Sequence, residues 1–151
     1  LAERLRREGA VLASGLLLGI AEATLELAND YAKSREQFGR TIGSFQAIKH
    51  ILADMFVRQE VARAAAYAAG AIVDHPDAGD LHAAVSGAKI NCGEAAMKNA
   101  RACVQVHGGM GYTWEVPAHY YLKRTWVLEN AFGTVDEHAE ALADRVAARV
   151  A

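Results

Sequence analysis

Five residues between positions 35 and 46 combine side chains and backbone freedom that suit phosphate binding. Arg35 is always charged and can fork onto phosphate oxygens, and Phe38 offers an aromatic face. Gly39 and Gly43 permit unusual backbone angles and close approach, and Gln46 adds an amide. A cation, an aromatic ring and an amide together would suit a nucleotide diphosphate. The alternative is an ordinary corner between two helices, with a surface Arg and a core Phe.

A second bend, with the sequence "QVHGGMGY", covers residues 105–112. Its three glycines are Gly108, Gly109 and Gly111. This density indicates backbone pressed against a ligand or another chain, or else a long helix C-cap. The bend is not a P-loop, because no Gly-Lys-Ser/Thr follows it and no strand precedes it. The six histidines form no metal-ligand pattern, and for His107, beside the glycines, we expect a packing or supporting role.

The composition favours one helical domain over residues 1–151. The chain is 52% hydrophobic but only 7% aromatic, and it contains two prolines. A chain of this length supports a single core. Few prolines leave room for long uninterrupted helices, and small apolar residues let those helices approach closely.

Helical spacing and capping residues place five helices. The caps are Ser44, Asp80, Pro117 in a first turn, and a capping box between Thr134 and Glu137. No clear strand is present. The sequence therefore predicts an all-α fold, an antiparallel four-helix-type bundle with an extra C-terminal helix. The predicted helices are 2–32, 45–74, 81–106, 117–131 and 135 to the end.

Charge and hydropathy argue against several partners. The net charge is −2, with 16 basic and 18 acidic residues and no basic stripe, so nucleic acid is not an expected partner. The most apolar run, residues 11–21, is shorter than the about 20 residues that cross a bilayer, and we expect no membrane span. Cys92 and Cys103 are expected to be reduced core thiols of a cytoplasmic protein.

Taken together, the two bends resemble the acyl-CoA dehydrogenase family. Residues 31–55, "YAKSREQFGRTIGSFQAIKHILADM", are similar to one signature of that family, and residues 105–124, "QVHGGMGYTWEVPAHYYLKR", to the other. The resemblance implies the C-terminal helical domain of an FAD-dependent enzyme of fatty acid or lipid metabolism, which desaturates an acyl-CoA thioester and passes electrons to an acceptor. The family's N-terminal helical and middle β domains are absent from this sequence.

The resemblance also implies which residues meet the cofactor. In the family, these motif positions contact the adenosine diphosphate half of an FAD that is bound mainly by the neighbouring subunit. It therefore implies a homo- or hetero-oligomer, with dimers paired into tetramers. Carried onto this sequence, the positions are Arg35, Phe38, Gln46, Gln105, Val106, His107, Gly108 and Gly109.

The sequence departs from the family at the catalytic base. Family members abstract the acyl α-proton with a Glu, at a position that is Phe132 here or at an alternative position that is Gly9 here. Glu8 and Glu129 are the nearby substitutes. One step along a helix turns a side chain by about 100°, and three steps move it by about 4.5 Å, so a solvated role is favoured for both.

Three functional hypotheses follow. In the first, the chain is a domain of an FAD-dependent acyl-CoA dehydrogenase. In the second, it is a base-less structural and cofactor-binding subunit of a heteromeric acyl-CoA dehydrogenase, as some bacterial family members are. In the third, it is a helical interaction module without flavin. The joint presence of Arg35, Gln46 and Gln105 argues against the third. In each case we expect the isolated domain to be inactive.

Overall fold

The computed structural model describes residues 1–150 and is built almost entirely of helices. A short linking turn of 3₁₀ helix precedes α2, another precedes α3, and a third precedes α4. The all-α prediction is confirmed; the last predicted helical residue, 151, lies outside the described residues. The five α-helices are α1 (Ala2–Ser34), α2 (Gln46–Asp74), α3 (Leu81–His107), α4 (Ala118–Asn130) and α5 (Val135–Val150).

Helix α3 lies at the centre and packs against the other four. The Asn99 side chain in α3 donates to the carbonyls of Ala21 in α1 (3.3 Å) and Met55 in α2 (3.0 Å). Seven residues earlier in α3, the Cys92 thiol donates to the Ala62 carbonyl in α2 (3.5 Å). Because positions fall along α3 as they rise along α2, these two helices run antiparallel.

Small side chains make the close packing of the helices feasible. Most buried apolar residues are alanines, and Leu17 and Met55 are among the few large side chains that are fully buried. In α3, a Cβ added to Gly93 would lie 2.8 Å from Cγ2 of Val135, so α5 docks on bare α3 backbone. The expectation that small apolar residues let the helices approach closely is confirmed.

A two-stranded hairpin lies between α1 and α2, and the prediction of no strand is wrong here. Strands β1 (Glu36–Gln37) and β2 (Arg40–Thr41) pair antiparallel. Phe38 and Gly39 connect them with φ of 56° and 77°. Tight hairpin turns of this kind require positive φ at both central residues. A phenylalanine is uncommon in that conformation, which is why the pattern gave no hairpin signal.

The predicted caps are mostly confirmed. Oδ1 of Asp80 accepts the Ala83 N–H (3.1 Å) at the start of α3. At α5, the Thr134 N–H donates to Glu137 and the Glu137 N–H donates to the Thr134 hydroxyl, at 2.9 and 3.2 Å. Pro117 lies immediately before α4 as its N-cap.

The Ser44 cap is wrong. Its hydroxyl donates to the Thr41 carbonyl (2.7 Å) within a 3₁₀ turn, and α2 begins after Phe45 without a side-chain cap. Because the Ser44 hydroxyl is bonded within the 3₁₀ turn, it does not cap the N–H groups at the start of α2.

Among the described residues, α1 is the one helix long and apolar enough, by length and composition, to cross a membrane. Core helices of soluble proteins pass the same test. Here Leu17, Leu18 and Ala21 of α1 are buried against the rest of the bundle.

Candidate functional site

The two glycine-punctuated bends meet at one end of the bundle. The ring of Tyr31, near the end of α1, stacks on the ring of His107, at the end of α3, with centroids 4.2 Å apart. A groove of about 440 Å³ opens there, lined by Tyr31, Arg35, Gln37, Ile42 and residues 106–110. Segments about 70 positions apart in sequence therefore form one surface.

Arg35 supplies the positive charge of this groove. It is the C-cap of α1, and its N–H donates to the Tyr31 carbonyl (2.8 Å). Its own carbonyl accepts the Ile42 N–H (2.8 Å), which ties the hairpin to the helix end. The side chain is exposed, and no ion pair or hydrogen bond of its guanidinium occurs among the residues that the structure describes. The guanidinium is therefore open to an anion.

The glycines of the second bend divide into two roles. Gly108 has φ +58° and caps α3, and a Cβ added to Gly108 or Gly109 would meet nothing within 4 Å. At Gly111 a Cβ would lie 2.6 Å from the Val104 carbonyl oxygen. Gly111 therefore serves packing within the chain, whereas Gly108 and Gly109 present open backbone beside Arg35.

Two other predicted residues of this bend are buried. Val106 and His107 are almost fully enclosed. His107 donates from Nδ1 to the Cys103 carbonyl (2.8 Å), so its side chain packs and orients the end of α3, as expected. Both residues line the groove, but little of either is exposed to a ligand there.

Three predicted residues lie outside the groove lining. Phe38 is 91% exposed, so the alternative in which it is a core residue is wrong. Gln46 and Gln105 are exposed at the start of α2 and near the end of α3. What the structure does bring together, an open guanidinium beside glycine backbone, fits an anionic diphosphate.

A second feature of interest lies at the other end of α1. The turn between α4 and α5 holds Phe132 at φ +60°. A Cβ added to Gly9 of α1 would lie 2.3 Å from Cε1 of this ring. The phenyl ring therefore rests on bare helix backbone, with 43% of the residue exposed.

Lys89 was not singled out from the sequence, yet it holds this turn. The side chain is completely buried, and Nζ donates to the carbonyls of Glu129 (2.8 Å) and Gly133 (2.7 Å). Burial lowers the pKa of this amine. The sequence signal for Lys89 was a lysine placed among the small residues of α3, between Ala88 and Cys92.

His138 holds the same turn from α5. Its Nε2 donates to the Phe132 carbonyl (3.1 Å), which leaves Nδ1 as the acceptor for the Ser86 hydroxyl (3.0 Å). Burial lowers the pKa of His138, and the positive charges of Lys89 and Arg6 add to this effect. In the neutral form of the imidazole, both ring nitrogens are hydrogen-bonded.

The model of the acyl-CoA dehydrogenase C-terminal domain matches residues 3–147. The chain belongs to the acyl-CoA dehydrogenase family.

Individual known proteins are similar to the chain in sequence or in fold. The chain is 44% identical over 122 residues to acyl-CoA dehydrogenase FadE34 of Mycobacterium tuberculosis, covering 81% of this chain and 17% of FadE34. It superposes on one chain of the ChsE4–ChsE5 complex of the same organism with a TM-score of 0.88 at 29% identity. The match covers 95% of this chain and 38% of the matched chain of the complex. It superposes on PigA, solved with FAD and proline, with a TM-score of 0.85 at 28% identity, covering 93% of this chain and 36% of the PigA chain. The chain thus spans well under half the length of each of these relatives.

In this acyl-CoA dehydrogenase domain the two substitute carboxylates face other grooves. Glu8 accepts from Arg4 (2.7 Å) in a groove that also includes Val73 and Pro76. Glu129 lines a groove with Lys98 and other residues of α3 and α5. Neither groove is lined by Gly9 or Phe132, so neither carboxylate shares a groove with these two residues.

Proposed function

We propose that this chain is the C-terminal domain of an FAD-dependent acyl-CoA dehydrogenase and that its groove contacts the FAD diphosphate. The observation that carries the proposal is Arg35, whose guanidinium is open, beside the open backbone of Gly108 and Gly109. A charge-assisted contact of this kind contributes about 1.5–3 kcal/mol. The structure of PigA with FAD supports a flavin in this fold.

Other contacts of the flavin and the acyl-CoA would come from outside this chain. Leu5, Gly9, Leu12 and Leu16 recur at helical spacing on one face of α1, and the three leucines are exposed. Exposed apolar stripes of this kind are typical of surfaces that another domain or subunit covers. We infer that this face contributes to contacts within a homo- or hetero-oligomer.

When bound, FAD supplies the acceptor for a hydride from the acyl β-carbon. This chain's own residues bind and orient it: Arg35 neutralises phosphate charge, and the Gly108–Gly109 backbone allows close approach. At position 132 the phenyl ring can neither take nor give a proton. The chain therefore supplies binding groups to the reaction and no proton acceptor at either family position.

The lack of a proton acceptor at positions 9 and 132 favours a second, narrower candidate function. In it, the chain is a base-less subunit that completes the flavin site of a base-bearing partner. The packed pair of Phe132 and Gly9 supports it, because that pair occupies both base positions. The ChsE4–ChsE5 structure, which this chain resembles in fold, is a complex of two differently named chains. A helical module without flavin is disfavoured, since it leaves the exposed Arg35 without a role.

The test is flavin retention by the oligomer that contains this chain together with the family's remaining domains. Wild-type and Arg35→Ala oligomers are compared for FAD bound after gel filtration. The proposal expects the variant to lose flavin on dilution. Equal retention by both would contradict it.

A further inference from the structure

The turn between α4 and α5 accepts hydrogen bonds from buried polar side chains. Within residues 129–133, three backbone carbonyls accept bonds: Glu129 and Gly133 from Lys89, and Phe132 from His138. All three distances lie between 2.7 and 3.1 Å. Ser86 completes the arrangement by donating to His138 (3.0 Å).

Ending a helix does not require such an arrangement. Helices commonly end on a glycine with backbone hydrogen bonds and water, whereas burying an amine carries a desolvation cost. Here Ser86 and Lys89 are both buried in the first third of α3. Lys89 bonds the turn directly, and Ser86 bonds His138, which in turn bonds Phe132.

The backbone that they hold is a demanding one. Phe132 has φ +60° and Gly133 has φ +107°, and a non-glycine residue with positive φ persists only where its surroundings fix it. In this conformation the side chain at position 132 is directed onto Gly9 of α1.

We propose that Lys89, Ser86 and His138 are positioning residues that fix the backbone at position 132, so that whichever side chain stands there faces Gly9. The geometric claim stands on the hydrogen bonds alone. Its importance for catalysis rests on the proposed function, in which position 132 corresponds to a base position of the family.

Protonation of His138 would change the arrangement, because a protonated Nδ1 would donate to the Ser86 hydroxyl instead of accepting from it. It would also place a second positive charge beside Lys89 and Arg6. The charged and titratable groups around His138 come from three helices. They are Arg6, Arg7 and Glu3 of α1, Lys89 and His82 of α3, and Glu137 of α5. A cavity of about 210 Å³ joins most of them, so protons can reach the site.

Fluorine NMR of the chain labelled with 4-fluorophenylalanine tests the proposal. The sequence contains four phenylalanines, and Phe132→Leu assigns the signal of residue 132. In Lys89→Met, which removes the two bonds to the turn, we expect that signal to move, broaden or split while the other three persist. The control is Lys98→Met, an exposed lysine of α3 paired with Glu94, which should leave all four unchanged.

An unshifted, sharp residue-132 signal in a folded Lys89→Met variant would overturn the proposal. If that variant does not fold, the wild-type chain gives the second measurement. On acidification below pH about 6.5, the residue-132 signal should move before the signals of Phe38, Phe45 and Phe56, and earlier or simultaneous movement of those three would overturn the proposal. Neither readout requires flavin, so a failure of FAD binding would count against the proposed function and not against this inference.

Discussion

The ring of Phe132 covers the bare backbone of Gly9 so closely that a single added Cβ would lie 2.3 Å from it. In the proposed function these two residues stand at the two positions where the family carries its catalytic Glu. A side chain at position 9 would collide with the ring, and removing the ring would uncover Gly9. The two positions are therefore coupled by packing and are not independent of each other.

The packed pair predicts strong energetic coupling. In a helix Gly→Ala alone stabilises by up to about 1 kcal/mol, whereas overpacking costs about 1–3 kcal/mol. The overpacking cost of Gly9→Ala should be about 1 kcal/mol, the lower end of that range, because the partly exposed Phe132 ring can rotate away from residue 9. Urea unfolding should show that Gly9→Ala is about 1 kcal/mol more favourable in a Phe132→Ala background than in the wild type.

The control is Gly15→Ala, in the same helix, where an added Cβ meets nothing within 4 Å. Its effect should be the same in both backgrounds. Equal effects of Gly9→Ala in the two backgrounds would show that the ring does not rest on residue 9.

Stability should depend on pH through His138. Burial, with Lys89 and Arg6, lowers its pKa in the folded state, so the unfolded chain binds the proton more tightly. The contribution of His138 to the free energy of unfolding should be complete above pH about 6.5 and should be lost as the pH falls below that value. Chemical unfolding at several pH values measures it.

His138→Gln should flatten this part of the pH profile. His75→Gln, which removes an exposed histidine in the α2–α3 link, is the control and should keep the slope. A slope unchanged by His138→Gln would show that another group titrates.

The two thiols should be inert in the folded chain. Burial raises the pKa of Cys92 and of Cys103 to about 12, and only the thiolate reacts. At pH 8 a disulfide reagent should label neither thiol in the native protein and both after denaturation. Rapid labelling of either thiol without unfolding would contradict the packing of α3.

Arg35→Ala should weaken FAD binding by the assembled flavoprotein about 10- to 100-fold, the equivalent of one charge-assisted contact. The control is Lys33→Ala, an exposed lysine two residues earlier that pairs with Asp30 (3.8 Å). Titration calorimetry of apoprotein with FAD measures both. Equal loss in the two variants would indicate a general charge effect and not a specific contact.

The helices and most caps could be predicted because they depend on local signals. Asp80 and the Thr134–Glu137 box carry the residue types that orphan N–H groups require, and the structure contains both caps. The hairpin could not be predicted, since it places a phenylalanine at positive φ. Ser44 failed as a cap because a competing carbonyl, that of Thr41, lies three residues back.

The candidate site was predictable only in part. Arg35 and the glycines of the second bend were visible as residue types, and the parallel course of α1 and α3 brings them together. The hydrogen bonds of Lys89 to the α4–α5 turn join positions 40 and 44 residues apart, and that of His138 reaches back 6 residues from α5 into the turn. Such contacts depend on how the helices pack, which no local pattern specifies.

The most direct test of the account is the bleaching of bound flavin by acyl-CoA. Assemblies built only from polypeptides that carry this chain are compared with assemblies that also contain a base-bearing partner, mixed anaerobically in a stopped-flow spectrometer. Because a general base contributes about 10²–10⁴-fold, we expect rapid bleaching only when the partner is present. Rapid bleaching without the partner, abolished by Glu8→Gln or Glu129→Gln, would contradict the claim that Phe132 and Gly9 leave this chain without a base.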